Sequence, residues 1–83
     1  ESVSVYPNPF TGSLTVEIAS PTSGEVTITV VNNSGQKIYE SDHLITEGET
    51  LVTIDDLKAA PSVVYMNIKG AGLNSTIPLI KIR

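Results

Sequence analysis

The side chains of this 83-residue chain that could do acid–base or metal chemistry are few, and they do not converge. His43 is the one histidine. It stands between Asp42 and Leu44, in a polar and acidic stretch from Ser41 to Glu49 that reads as a loop. A general base needs a nucleophile within hydrogen-bond reach and a partner to orient its ring. The sequence suggests neither, and a solvated loop histidine accounts for His43. Asp55 and Asp56 are the tightest acidic pair. With Glu47 and Glu49 they offer oxygens of the kind calcium takes, but that ion wants six or more and no ligand loop has its spacing. Solvated turn residues are the reading kept. As a glycosidase pair the two aspartates fail, because neighbours on an extended chain point to opposite faces. No serine sits in a nucleophile elbow, and the glycines form no phosphate loop. Asn32-Asn33-Ser34 and Asn74-Ser75-Thr76 match the N-glycosylation triplet, and turn formation explains both. The expectation is no catalytic residue, no metal site and no cofactor.

Composition narrows the partners. Nine acidic against five basic side chains give a net charge of −4, whereas a nucleic-acid binder shows a basic face. Aromatics are 5% of the residues, too thin for a platform that stacks bases or sugars. No cysteine is present, so neither a disulfide nor a thiolate site supports the domain. No apolar run approaches the roughly 20 residues a membrane-spanning helix needs, and no signal peptide is present. The length suits one small domain, residues 1–83, with a thin core. Its first residue is Glu1, not Met, which reads as a piece of a larger or processed protein.

What remains is a chain of short strands and turns organised around Val5-Tyr6-Pro7-Asn8-Pro9-Phe10. Pro7 and Pro9 fix φ near −65° and remove two amide donors. They also push Tyr6 and Asn8 toward extended geometry. A strand arriving at Val3 to Tyr6 must stop pairing on one side and turn a corner. Asn8 can satisfy nearby backbone groups with its amide. Phe10, the one phenylalanine, is expected to plug one end of the core, worth roughly 1.5 to 3 kcal/mol if fully buried.

Beyond this corner, Thr11-Gly12-Ser13 is a turn. Leu14, Val16 and Ile18 then alternate with polar residues, as do Val26, Ile28 and Val30 after the Pro21-Thr22-Ser23-Gly24 turn. A period of two marks half-buried strands, and β-branched residues suit them. Asn32-Asn33-Ser34-Gly35 is the strongest hairpin turn. It leads into a strand from Gln36 to Glu40, with Ile38 inward and Lys37 and Tyr39 on the other face. Thr50 to Ile54 is a strand with Val52 and Ile54 on one face, and Leu57 turns back to the core. Lys58-Ala59-Ala60-Pro61 is a connection or a short helical turn. Ser62 to Lys69 is the most apolar strand, with Val64, Met66 and Ile68 on one face. Gly70 to Asn74 is a flexible turn. The last strand runs from Thr76 to Arg83. Pro78 cannot donate to a ladder, so this strand belongs at a sheet edge or pairs only after Pro78. Either Ile77 and Leu79 or Ile80 and Ile82 face inward. Seven such strands predict an all-β, antiparallel, immunoglobulin-like β-sandwich; a small barrel has the same strand count.

The end of the chain differs from the rest. Lys69, Lys81 and Arg83, three of the five basic residues, fall in the last fifteen positions. An edge strand bearing cations deters aggregation. It would equally serve as an address, bound by strand addition.

In order and spacing these landmarks resemble the type A C-terminal sorting domain of proteins exported by the type IX secretion system of Bacteroidetes. The resemblance covers essentially the whole chain. Val5-Tyr6-Pro7-Asn8-Pro9 matches the opening motif and Leu14-Thr15-Val16 the strand after it. Val31 to Ile38, centred on Gly35, looks like the central turn, where the family often has Asp before the Gly. Thr53-Ile54-Asp55-Asp56-Leu57 looks like the next block, and Lys81 in its aliphatic-basic setting like the last. One departure is visible: the family's Gly and Tyr at the penultimate strand fall here on Ser62 and Val64, with Tyr65 one position later and on the opposite face.

The resemblance implies a non-catalytic signal, preceded covalently by a cargo domain. It implies recognition by the type IX machinery in the periplasm, and delivery to the cell surface or the medium. A sortase-like C-terminal signal peptidase is a second implied partner. Ile80, Lys81, Ile82 and Arg83 are the expected contact residues; Tyr6, Pro7, Asn8, Pro9 and Gly35 the expected motif and fold residues. Neither nucleic acid nor a direct membrane span is expected, and an exposed edge could pair two copies. The rival readings are a fibronectin-like adhesive sandwich and a carbohydrate-binding module, the latter requiring a row of exposed aromatics.

Overall fold

The computed structural model describes residues 2–55, 57 and 60–82. Within them lie seven strands and no helix: β1 (Ser2–Tyr6), β2 (Leu14–Ser20), β3 (Gly24–Val31), β4 (Lys37–Ile45), β5 (Gly48–Ile54), β6 (Val63–Gly70) and β7 (Leu73–Ile80). They form two antiparallel sheets, ordered β1-β2-β5 and β4-β3-β6-β7. Two separate sheets make an immunoglobulin-like sandwich and leave no place for the small barrel.

The alternation of the sequence becomes the alternation of the sheets. Leu14, Val16 and Ile18 of β2 and Val52 and Ile54 of β5 point inward from the three-stranded sheet. Val26, Ile28 and Val30 of β3 and Val64, Met66 and Ile68 of β6 meet them from the other side. Phe10 and Leu57 close the core where the chain crosses between sheets, and both are buried.

Three expectations change. The stretch Ser41 to Glu49 is not a loop. Its first half continues β4 through Ile45, and β5 starts at Gly48. On β4 the inward phase is also the reverse of the expected one: Tyr39 packs against the core, and Ile38 is 38% exposed on the outer face. The cause is a register shift between Val30 and Val31, where Val30 faces Tyr39 but Val31 faces Lys37. An extra residue in one strand inverts the facing of the residues beyond it. Finally, the segment Gly70 to Asn74 contains only a two-residue turn, Ala71-Gly72, between paired Gly70 and Leu73. Both turn residues have positive φ, 50° and 84°, as a type I′ hairpin requires. Lys58 and Ala59 of the expected connection lie outside the described residues.

The register assigns the ends of the sandwich. Ser2, Ser20, Gly24, Ile45, Gly48 and the Ala71-Gly72 turn share one end. Tyr6, Leu14, Ile54, the Asn32 to Gly35 turn, Val63 and Ile80 share the other. The first described residue and the last strand's end are therefore at opposite ends.

Candidate functional site

The question left open by the sequence is how the last strand presents itself. Leu79 is fully buried and Ile77 packs against the core, so Ile80 and Ile82 face out, 52% and 49% exposed. β7 is the edge strand of its sheet, the first of the two arrangements that Pro78 allows, and it pairs on both sides of the proline. Lys81 continues the pairing with β6 by donating its N–H to the Ser62 carbonyl at 2.7 Å. Arg83 lies outside the described residues.

The outer edge of this strand is occupied from Pro78 onward. After Tyr6 the chain leaves the three-stranded sheet through Pro7-Asn8-Pro9, whose Tyr6-Pro7 and Asn8-Pro9 peptide bonds are cis. It then crosses to the other sheet, where Phe10 pairs in parallel with Lys81. The Phe10 N–H donates to the Ile80 carbonyl at 2.9 Å, and the Ile82 N–H donates to the Phe10 carbonyl at 2.8 Å. One step earlier, the Asn8 side chain does what a strand backbone would. Its Oδ1 accepts from the Ile80 N–H at 3.0 Å, and its Nδ2 donates to the Pro78 carbonyl at 3.3 Å. Asn8 thus satisfies backbone groups, as expected, but groups some seventy positions away.

Gly35 belongs to the same end of the sandwich. Its φ of 82° closes the hairpin, and a Cβ there would touch nothing within 4 Å, so its contribution is conformational. Asn32 holds that turn, its Oδ1 accepting from the N–H groups of Ser34 (2.9 Å) and Gln36 (3.0 Å). Between this turn and Pro61-Ser62-Val63 lies an open cleft of about 350 Å³. Outward positions pair across the neighbouring strands beside it, Val31 with Tyr65, Tyr65 with Pro78 and Val63 with Ile80.

The remaining candidates stay apart. His43 sits half-buried in β4, with its Nε2 2.7 Å from the Ser41 hydroxyl, and among the described residues no carboxylate hydrogen-bonds its ring. Among the described residues no group of three or more His, Asp or Glu could hold a metal ion; Asp56 lies outside them. Tyr6 is on the three-stranded sheet, Tyr39 packs on the core and Tyr65 is on the opposite outer face. The row of exposed aromatics that a glycan platform needs does not form among them. Electrostatics single out one other place. On the outer face of the three-stranded sheet, a hydrogen bond to Glu17 and the repulsion between the two carboxylates raise Glu49 above its ordinary value. Partial desolvation, then the Glu17 charge, raise the Tyr6 phenol.

Two things were missed in the sequence: the pairing of Phe10 with Lys81, and the use of Asn8 as a strand surrogate. No local signal announces either, since both partners lie at the far end of the chain.

Residues 4–81 match the family model described as secretion system C-terminal sorting domain. No curated protein and no solved structure is matched. The matched segment spans nearly the whole chain, from β1 to the residue paired with Phe10. The chain belongs to the C-terminal sorting domains of the type IX secretion system, whose function is to mark a protein for export to the cell surface or beyond.

Proposed function

We propose that this sandwich is a non-catalytic address carried by a preceding cargo domain, and that its message lies in Ile80, Lys81, Ile82 and Arg83. The type IX machinery reads it in the periplasm. A sortase-like C-terminal signal peptidase is the second partner. The observation that carries this reading is the pairing of the opening motif with the tail. Pro7-Asn8-Pro9-Phe10 and Pro78 to Ile82 hold each other by four hydrogen bonds, which fixes the outward direction of Ile80 and Ile82. Strand-mediated pairing of two copies would use β1, β4, β5 or the first half of β7, the edges that the opening motif leaves uncovered.

The experiment is removal of Lys81 to Arg83 from a full-length cargo. Export should drop to background while the cargo accumulates in the periplasm. Normal arrival at the cell surface would refute the assignment of the message to the tail.

A further inference from the structure

We infer that Asn8 is the positioning residue for recognition of the tail: it completes a built-in edge strand that closes the outer side of the last strand from Pro78 to Ile82, so that partners read the tail through its side chains and not by strand addition. This rests on the reading of the tail as the address.

In an antiparallel edge strand, alternate residues turn their backbone groups toward the neighbour and away from it. Lys81 donates to Ser62 of the β6 side, so Pro78, Ile80 and Ile82 turn theirs outward. Every outward group from the Pro78 carbonyl to the Ile82 N–H then has a partner in the opening motif. Pro78 itself has no N–H to leave over. An incoming strand would find no free donor or acceptor along this stretch. A carboxamide suits Asn8's task because it carries an acceptor and a donor together, like a peptide group. Aspartate keeps the acceptor for Ile80 and loses the donor to Pro78; alanine loses both. Asn8 is exposed, so truncating it leaves no cavity. Its loss should free the tail rather than unfold the sandwich.

The two modes of reading predict opposite signs. Opening the edge by Asn8→Ala assists a partner that adds a strand, and it harms one that needs the side chains of Ile80, Lys81 and Ile82 held in place. The test combines hydrogen exchange on this chain with export of a cargo bearing it, for Asn8→Ala, Asn8→Asp and the deletion of Lys81 to Arg83. In Asn8→Ala the Ile80 amide should exchange about tenfold faster, the scale of one lost hydrogen bond. The amides of Ile28 and Val30 should keep their protection, and export should fall severalfold. Asn8→Asp should lie between Asn8→Ala and the parent.

Unchanged or increased export with a loosened Ile80 amide would overturn the inference, as would an Ile80 amide that stays protected. Loss of protection at Ile28 and Val30 in both variants would also overturn it, since Asn8 would then act on the whole fold. If the deletion leaves export intact, the reading of the tail fails. If the deletion abolishes export and a loosened Asn8→Ala does not reduce it, only the role of Asn8 fails.

Discussion

At Gly70 a single methyl group has nowhere to go. The residue sits at φ 130°, and a Cβ built there meets the Glu25 carbonyl oxygen and lies 2.9 Å from the Val26 Cα. Both obstacles are backbone, which cannot rotate aside. Gly70→Ala should therefore cost upwards of about 2 kcal/mol, combining an unfavourable φ with overpacking; a denaturant melt measures it. Glu49 works in the other direction and more gently. Its carboxyl is held above the ordinary value of 4.5 by Glu17. The folded state thus holds this proton more tightly than the unfolded chain does. The resulting stability is present below 4.5 and is lost as pH rises through the raised value. Glu49→Gln removes that loss, so its melting temperature relative to the parent should improve between about pH 4 and about pH 7. Salt should shrink the difference, because the group is on the surface. Single residues were legible in the sequence where their type allowed one role. A lone Phe after a rigid corner, and a Leu following two acidic residues, had to be core, and Phe10 and Leu57 are. The Glu17–Glu49 proximity was not legible, because it depends on the diagonal offset of β2 and β5.

Among the elements, the strands whose apolar residues alternate without interruption were readable: β2, β3, β5 and β6 keep the faces that their sequences suggest. β4 was not, for two physical reasons. It is an edge strand whose inward positions include Ser41 and His43, so its middle, Glu40 to His43, looks polar on both faces. The irregularity at Val30 and Val31 also shifts its phase relative to the hairpin turn, which no count of residues from Gly35 reveals. The two adjacent side chains separate these phases by experiment. Ile38→Thr, on the outer face, should change stability by no more than about 0.5 kcal/mol. Tyr39→Ala, which strips a half-buried ring from the core margin, should cost about 2 kcal/mol or more. Comparable losses from both, or a larger loss from Ile38→Thr, would mean that β4 faces the other way. Pro78 narrowed β7 to a sheet edge or to pairing only beyond the proline, and the edge is what forms; its inward phase was not legible, because Ile77, Leu79, Ile80 and Ile82 are all aliphatic. Only the pairing of Val64 with Leu79 decides it.

For the molecule as a whole, the consequence lies in which end holds what. Ser2 pairs with Ala19 at one end of the sandwich, and the tail is clamped by the opening motif at the other. The Pro-Asn-Pro corner is thus near the start of the sequence yet lies at the opposite end of β1 from Ser2. A cargo ahead of Glu1 stands away from Ile80, Lys81 and Ile82 and leaves them accessible. A folded domain placed after Arg83 would crowd them directly. An inert periplasmic passenger fused before Glu1 should therefore be carried to the surface of a host with the matching machinery. The same passenger fused after Arg83 should remain in the periplasm. Protease accessibility on intact cells reads both. A short flexible spacer after Arg83 should restore little, since the passenger still follows the tail, whereas lengthening the connection ahead of Glu1 should change nothing. Equal export of the two fusions would show that the machinery does not need the end of the tail free, with the outward positions beside it on β3 and β6 (Val31, Val63, Tyr65) the next to substitute.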